Sequence, residues 1–177
     1  MSRIRIIGGQ WRSRLLPVAS VTGLRPTPDA VRERLFNWLG QDLRGMHCLD
    51  LFAGTGVLGF EAASRGAESV TLVERDARAF SRLREAVGQL PAPQVRLHRG
   101  DALEFAAHPP RRFDVLFLDP PYGLGLLGKL VTHLPGLVAD DAVIYCEAEH
   151  AVPELGDFRA TREGRAGQVH YQLLEQP

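Results

Sequence analysis

No stretch of this 177-residue chain approaches an apolar run long enough to cross a membrane, which argues against a membrane-embedded function. The opening residues, Met1-Ser2-Arg3-Ile4-Arg5, lead into no apolar export segment, so the expected compartment is the cytoplasm. Cysteine is scarce. Cys48 and Cys146 each sit inside an apolar, strand-like run, where a thiol behaves as a small buried hydrophobe. The six histidines show no spacing with cysteine or carboxylate that matches a zinc site, so no metal is expected. Net charge is missing as well, with 21 basic residues against 21 acidic ones, but the balance is uneven along the chain. Residues 1–44 hold eight arginines against three acids, and residues 101–157 hold ten acids against three basic residues. Arginine gathered at one end suits phosphate contacts better than lysine would, although solvated surface has the same look. Internal repeats and low-complexity linkers are also absent. The length and an ordinary 45% hydrophobic content then predict one domain over residues 1–177, large enough to bury a core without staples.

The chain is organised around Cys48-Leu49-Asp50-Leu51-Phe52-Ala53-Gly54-Thr55-Gly56-Val57-Leu58-Gly59. An apolar run of strand length ends on Gly54 and Gly56, after which Leu58, Ala62 and Arg65 recur at helical spacing until Gly66. Glycines in a strand-to-helix turn let the backbone come close to a ligand, and the helix N-terminus favours an anionic group. The spacing Gly54-x-Gly56-x-x-Gly59, with Glu74 twenty residues past Gly54, also satisfies the dinucleotide fingerprint. The turn alone therefore does not name its cofactor.

Before this stretch, runs on either side of Gly8-Gly9-Gln10-Trp11-Arg12 predict a hairpin with a basic, aromatic tip, suited to nucleic acid through stacking on Trp11 and phosphate contacts from Arg3, Arg5, Arg12 and Arg14. A loop through Arg25 then leads to a helix reaching about Leu39. Thr27 is its expected N-cap and Pro28 its first residue, and Val31, Leu35, Trp38 and Leu39 form a core stripe that leaves Arg32 outside. After the glycine turn, apolar runs close on acids at Glu74, Asp101 and Asp119, with helical patterns between them. A further strand from Ala142 to Glu147 precedes an antiparallel pair, Phe158 to Glu163 and Gln168 to Leu174, joined through Gly164-Arg165-Ala166-Gly167. Repeated strand–helix units predict an α/β fold with a mostly parallel sheet and helices on both faces, flanked by the N-terminal β-hairpin extension (residues 1–27) and the antiparallel C-terminal hairpin. Ligands then belong at the carboxyl ends of the strands.

Asp119-Pro120-Pro121-Tyr122 decides the chemistry. An amino group on a nucleobase is a poor nucleophile, because its lone pair is delocalised into the ring. Hydrogen bonds from that amine to the Asp119 carboxylate and to a carbonyl held rigid by Pro120 would favour a pyramidal, reactive nitrogen. Tyr122 would stack on the flipped-out base.

Together, the stretch from Asp50 to Gly59, Glu74, Asp101 and Asp119-Pro120-Pro121-Tyr122 resemble a Rossmann-like class I S-adenosylmethionine-dependent methyltransferase acting on an exocyclic amine. Four further runs narrow the likeness: Arg5-Ile6-Ile7-Gly8-Gly9, Gly23-Leu24-Arg25-Pro26-Thr27, Val31-Arg32-Glu33-x-Leu35-Phe36-Asn37-Trp38-Leu39, and Ala166-Gly167-Gln168-Val169. They are similar to RsmD, the bacterial family that methylates guanine N2 in 16S ribosomal RNA, and the likeness covers essentially the whole chain. It implies S-adenosylmethionine held by Asp50, Gly54, Gly56, Glu74 (ribose), Asp101 and Ala102 (adenine). It also implies catalysis by Asp119, Pro120 and Tyr122, and RNA contacts from Arg3, Arg5, Trp11, Arg12, Arg14 and Arg25. The partner it implies is 16S ribosomal RNA, free or inside a small-subunit assembly particle. Pro28 and Ala30 depart from the family pattern, which would have Thr and Arg there. Among the alternatives, a DNA amino methyltransferase shares both core motifs but commonly carries a target-recognition insertion, for which this chain has no room. A protein glutamine methyltransferase would lead its motif with Asn. A nicotinamide-dependent dehydrogenase gives Asp119-Pro120-Pro121-Tyr122 no task, and a non-catalytic RNA-binding module explains neither motif.

Overall fold

Short apolar strands alternate with helices that each carry one or more buried faces. The order is β1 (Ser2–Arg5), β2 (Leu15–Val18), α1 (Asp29–Leu39), β3 (His47–Asp50), α2 (Val57–Ser64), β4 (Ser69–Glu74), α3 (Ala77–Gly88), β5 (Val95–Arg99), α4 (Ala102–Ala107) and β6 (Phe113–Leu118), followed by α5 (Leu126–Leu130), α6 (Leu134–Leu137), β7 (Val138–Ala148), β8 (Glu154–Leu155), β9 (Phe158–Ala166) and β10 (Val169–Glu175). A 3-10 turn, Val131–His133, joins α5 to α6. This computed structural model describes residues 2–21 and 23–177.

β3 to β10 form one eight-stranded sheet in the order β5-β4-β3-β6-β7-β10-β9-β8. The first five strands in that order are mutually parallel, and β10 pairs antiparallel with β7 and with β9. Parallel strands covered on both faces send successive side chains into two cores. On β6, Val115 and Phe117 join the core under α1, α2 and α3, while Leu116 and Leu118 join the core under α4 and α6. β1 and β2 make the expected separate antiparallel hairpin, and Ile4, Leu16 and Val18 enter the first core.

Four local expectations are corrected. Thr27 does not cap α1: Pro28 holds that position without a side-chain bond, because the Thr27 hydroxyl donates 3.0 Å to Glu147 Oε1 instead. Arg32 is fully buried, since its guanidinium finds acceptors inside: the Arg5 carbonyl at 2.7 Å, the Thr27 carbonyl at 3.1 Å and Glu61 Oε1 at 3.1 Å, besides an ion pair with Asp29. The C-terminal hairpin turns at Gly167-Gln168, and Gly164 to Ala166 belong to β9. Gly164 is a glycine for proximity, because a Cβ there would lie 2.6 Å from the Tyr171 hydroxyl. Trp11, finally, is 1% exposed and packs in the first core. Its loop is tied down against α2 by Ser64, which accepts from Gln10 N–H at its carbonyl (2.7 Å) and from Trp11 N–H at its hydroxyl (2.9 Å), and which donates that hydroxyl to the Gly8 carbonyl (2.6 Å). A ring held there cannot stack on a base.

Candidate active site

β3 ends at Asp50, and the chain turns through Gly54 and Gly56 into α2. Gly56, with φ of 78°, caps α2 in the left-handed region, where a side chain would be strained and would collide with Phe60. Gly54 lies under Leu24, whose Cδ1 would be 2.6 Å from an added Cβ, so the loop carrying Arg25 packs over the turn. Both glycine N–H groups are already used inside the protein: Gly54 N–H donates 2.8 Å to Glu74 Oε2, and Gly56 N–H donates 2.7 Å to the Ala53 carbonyl. The turn therefore offers a ligand no free glycine donor, and the space a Cβ would need is filled from within the protein, by Leu24 at Gly54 and by Leu83 and Phe60 at Gly56. Asp50, 2% exposed, accepts 3.2 Å from Gly59 N–H and so braces the start of α2. Burial holds its acid well above the usual carboxylate range, against the pull of that N–H and with the help of Glu74 and Glu147.

Glu74, at the end of β4, is fixed by two backbone donors, Gly54 N–H and Asp76 N–H (3.0 Å). Each carboxylate oxygen keeps a second lone pair, so Glu74 can still accept a pair of ligand hydroxyls. Asp101 caps α4 through Oδ1, accepting from Leu103 N–H at 2.9 Å and Glu104 N–H at 3.1 Å, with Ala102 buried behind it. Its Oδ2 lies 4.0 Å from Arg75 Nη1, open to a further donor.

The second motif follows β6. Asp119 is half-buried, Pro120 is buried and the Tyr122 ring is 46% exposed. Burial raises the Asp119 acid well above its ordinary value, and the neighbouring Glu147 and Asp50 raise it further. Burial also raises the Tyr122 phenol, aided by Asp119, Glu147, Glu149 and Cys146. Asp50, Glu74, Asp119 and Glu147 thus stand at the carboxyl ends of four neighbouring strands, and among the described residues none of them pairs with an arginine, lysine or histidine within 4.0 Å. Acids crowded in this way hold back one another's ionisation, and an incoming cation relieves that crowding. A sulfonium with a ribose diol and an adenine amine fits this acceptor set, whereas a dinucleotide's phosphates would find the glycine donors spoken for. Cys48 and Cys146 are buried thiols, each pushed up to about 12 by burial, and take no part. Among the described residues, no group of three or more His, Cys, Asp or Glu is arranged to hold a metal. No helix in them is long and apolar enough to cross a membrane.

Glu147 is a site residue that sequence reasoning missed. Its signal was present, since it closes an apolar strand as Glu74 does. It accepts from the Tyr145 hydroxyl at 2.7 Å as well as from Thr27. The side chains of Arg3, Arg5, Arg12, Arg14 and Arg25 are all exposed, and Arg5 and Arg12 share a cavity of about 630 Å³ with Asn37, Gln41 and Arg65.

Residues 4–175 match the family model described as conserved hypothetical protein 95. Ribosomal RNA small subunit methyltransferase D of Escherichia coli K12 is 43% identical over 98% of this chain and 90% of its own length. The Haemophilus influenzae protein of the same name is 38% identical over 97% of this chain and 93% of its own length. A solved Escherichia coli structure described as the methyltransferase yhhF superposes with a TM-score of 0.90 at 43% identity, covering 99% of this chain and 98% of that one. The acid-lined edge, the two motifs and this likeness along the whole chain agree: the chain belongs to the conserved hypothetical protein 95 family, the RsmD family of S-adenosylmethionine-dependent methyltransferases.

Proposed function

We propose that this chain methylates the exocyclic N2 amine of one guanine in 16S ribosomal RNA, in the cytoplasm, as a single methyltransferase domain whose residues 1–27 form an RNA-binding extension. The observation that carries the reading is the pairing, at the end of β6, of a carboxyl acceptor with an exposed aromatic ring beside the glycine turn. Bound at that turn, S-adenosylmethionine supplies an electrophilic methyl group on a positive sulfur. Glu74 would accept its ribose hydroxyls and Asp101, with Ala102 behind it, its adenine amine. Gly54 and Gly56 would line its amino-acid end, and Asp50 would brace the turn. Asp119 accepts a hydrogen bond from the guanine amine, the Pro120 carbonyl accepts a second, and Tyr122 stacks on the base. N2 lies on the Watson–Crick edge, engaged in any paired helix, so the guanine must be unpaired or extruded to reach Asp119. RNA in a small-subunit assembly particle would present such a base as readily as free RNA. The choice of guanine over adenine rests on the likeness to the methyltransferase D relatives.

Nucleoside mass spectrometry of RNA methylated by the purified protein tests this: N2-methylguanosine is the expected product. N6-methyladenosine, or labelling of DNA alone, would overturn the acceptor.

Arg3, Arg5, Arg12 and Arg14 are assigned to RNA phosphates, with Arg25 beside the glycine turn; Trp11, held in the core, takes no part in binding RNA. Replacing the four hairpin arginines with glutamine should weaken RNA binding while leaving cofactor affinity unchanged. The log–log salt dependence should flatten by about 0.7 for each phosphate of a single strand that is no longer neutralised. A salt slope identical to that of the parent would return the cluster to plain solvated surface.

A further inference from the structure

Two of the runs that carry the family likeness, Arg5 to Gly9 and Val31 to Leu39, both line the cavity of about 630 Å³ between the N-terminal loop and α1, a size that encloses a small ligand. Arg65 is its most buried polar lining. That side chain is 3% exposed and gives Nη1 to Glu61 and Nε to Gln41 Oε1 at 3.0 Å, yet its Nη2 has no hydrogen-bond partner among the described residues and is not sealed from solvent. Gly8 lets the guanidinium pass, because an added Cβ would lie 2.5 Å from Nη2. The Gly8 and Gly9 N–H groups and the exposed guanidinium groups of Arg5 and Arg12 likewise find no acceptor among the described residues. Guanidinium forks beside free backbone N–H groups suit a phosphate.

On the α1 side, a chain of hydrogen bonds fixes which way two amides turn. Arg65 can only donate, so Gln41 gives it the amide oxygen and turns its Nε2 to Asn37 Oδ1, 2.9 Å away. Asn37 keeps its Nδ2 donors free. Glu33 stands one helical turn earlier on the same face, exposed and with no hydrogen bond or ion pair among the described residues. A carboxylate beside an amide donor matches the Watson–Crick edge of guanine, where N1–H and N2–H are neighbouring donors and O6 is an acceptor next to them. No other base offers a carboxylate two adjacent donors there.

We propose that this cavity is a second nucleotide site: it takes an unpaired guanine nucleotide of the RNA other than the one methylated, its phosphate held by the arginines and the glycine N–H groups and its base edge by Glu33 and Asn37. This rests on the reading of the protein as one that acts on ribosomal RNA. α2 separates the two sites, running from the glycine turn to Arg65 over eight residues, about 12 Å. α1 spans the same gap, entered through Thr27 beside Glu147 at the active edge and reaching the cavity at Asn37, so RNA lying along α1 meets both sites. A site at that distance selects and does no chemistry. It fixes which guanine is delivered to Asp119.

Amide NMR of the ligand-free protein reads the cavity directly, with guanosine monophosphate, adenosine monophosphate and inorganic phosphate each titrated into the millimolar range. The guanosine nucleotide should shift the Gly8 and Gly9 amides at concentrations about ten-fold or more below those needed for the other two. Glu33→Gln, an exposed change on α1, turns one of the two acceptors into a donor. It should erase the preference for guanosine while the response to phosphate stays. In turnover with ribosomal RNA the same variant should raise KM for RNA on the order of ten-fold, with kcat and cofactor affinity unchanged. A residue of the solvated surface alone would leave both the preference and KM in place. Equal responses to the two nucleotides in the parent protein, shifts from phosphate as large as from guanosine monophosphate, or shifts confined to the segment around Tyr122 overturn the proposal. Failure of the parent protein to methylate ribosomal RNA would instead overturn the RNA reading, with the mononucleotide titration still deciding the cavity.

Discussion

Asp119→Ala should remove methyl transfer while leaving S-adenosylmethionine affinity nearly intact. Asp119 lies past the end of β6, and its carboxyl neighbours are Glu147 and Asp50, whereas the two backbone donors that fix Glu74 belong to the glycine turn and to the start of α3. An acceptor that serves only the amine acts in the transition state and not in cofactor binding. kcat and kcat/KM for RNA should then fall together. General acid–base groups contribute roughly 10²–10⁴-fold, and a loss on the order of 10³ corresponds to about 4 kcal/mol of barrier. Glu74→Ala is the counterpart: it should weaken cofactor binding by about 1–3 kcal/mol, the scale of hydrogen bonds to a charged group. Calorimetric titration with the cofactor and single-turnover methylation separate the two variants. Equal loss of cofactor binding in both, with far-ultraviolet circular dichroism unchanged, would contradict this division of labour.

The largest effect on stability is expected at Glu61→Ala. Glu61 lies in α2, all eight residues of which are buried between the sheet and the N-terminal loop. Its carboxylate has no solvent exposure and binds two guanidinium groups, those of Arg32 (Oε1, 3.1 Å) and Arg65 (Oε2), while Oε1 also accepts 2.6 Å from Ile7 N–H. Arg65 in turn lies 4.1 Å over the Phe36 ring and donates 3.0 Å to Gln41. Removing the acid strands two nearly buried cations with their charge uncompensated. Breaking a buried pair from one side typically costs about 3–5 kcal/mol. Set against about 5–15 kcal/mol for a whole domain, that is a large share. Urea unfolding followed by circular dichroism measures it, and a loss under about 1 kcal/mol would mean that the arginines escape to solvent at little cost. Because Arg32 also holds the Arg5 carbonyl, the same variant should loosen the hairpin and weaken RNA binding alongside stability.

Much of this molecule was legible because its sheet is parallel. Strands buried on both faces read as apolar runs, and each ends where the ligand edge begins, so Asp50, Glu74, Asp101 and Asp119 could be placed from the sequence. Long-range polar pairing was not legible. Arg32 and Glu61 are 29 residues apart and Thr27 and Glu147 are 120 apart, and neither local spacing nor helical periodicity carries that information. Arg32 looked like surface because a buried arginine is rare without partners, and its partners come from three other segments. Trp11 was misplaced for a related reason: its backbone tether, Ser64, follows 53 residues later. In β9, Gly164 read as a turn because glycine more often marks a bend than a ring packed against the backbone.

The strand order also affects how the sheet can assemble during synthesis. β10 is made after β8 and β9 yet lies between β7 and β9, so neither can dock until it arrives. Meanwhile β7, eleven residues long, presents an unpaired edge next to the emerging chain. Such an edge can pair with any passing strand, including one from a second nascent copy. Hairpin closure between β9 and β10, whose turn spans only Gly167 and Gln168, is local and fast, so the two can form first and add to β7 as a unit. A variant that slows this turn should lower soluble yield while leaving the finished enzyme unaltered.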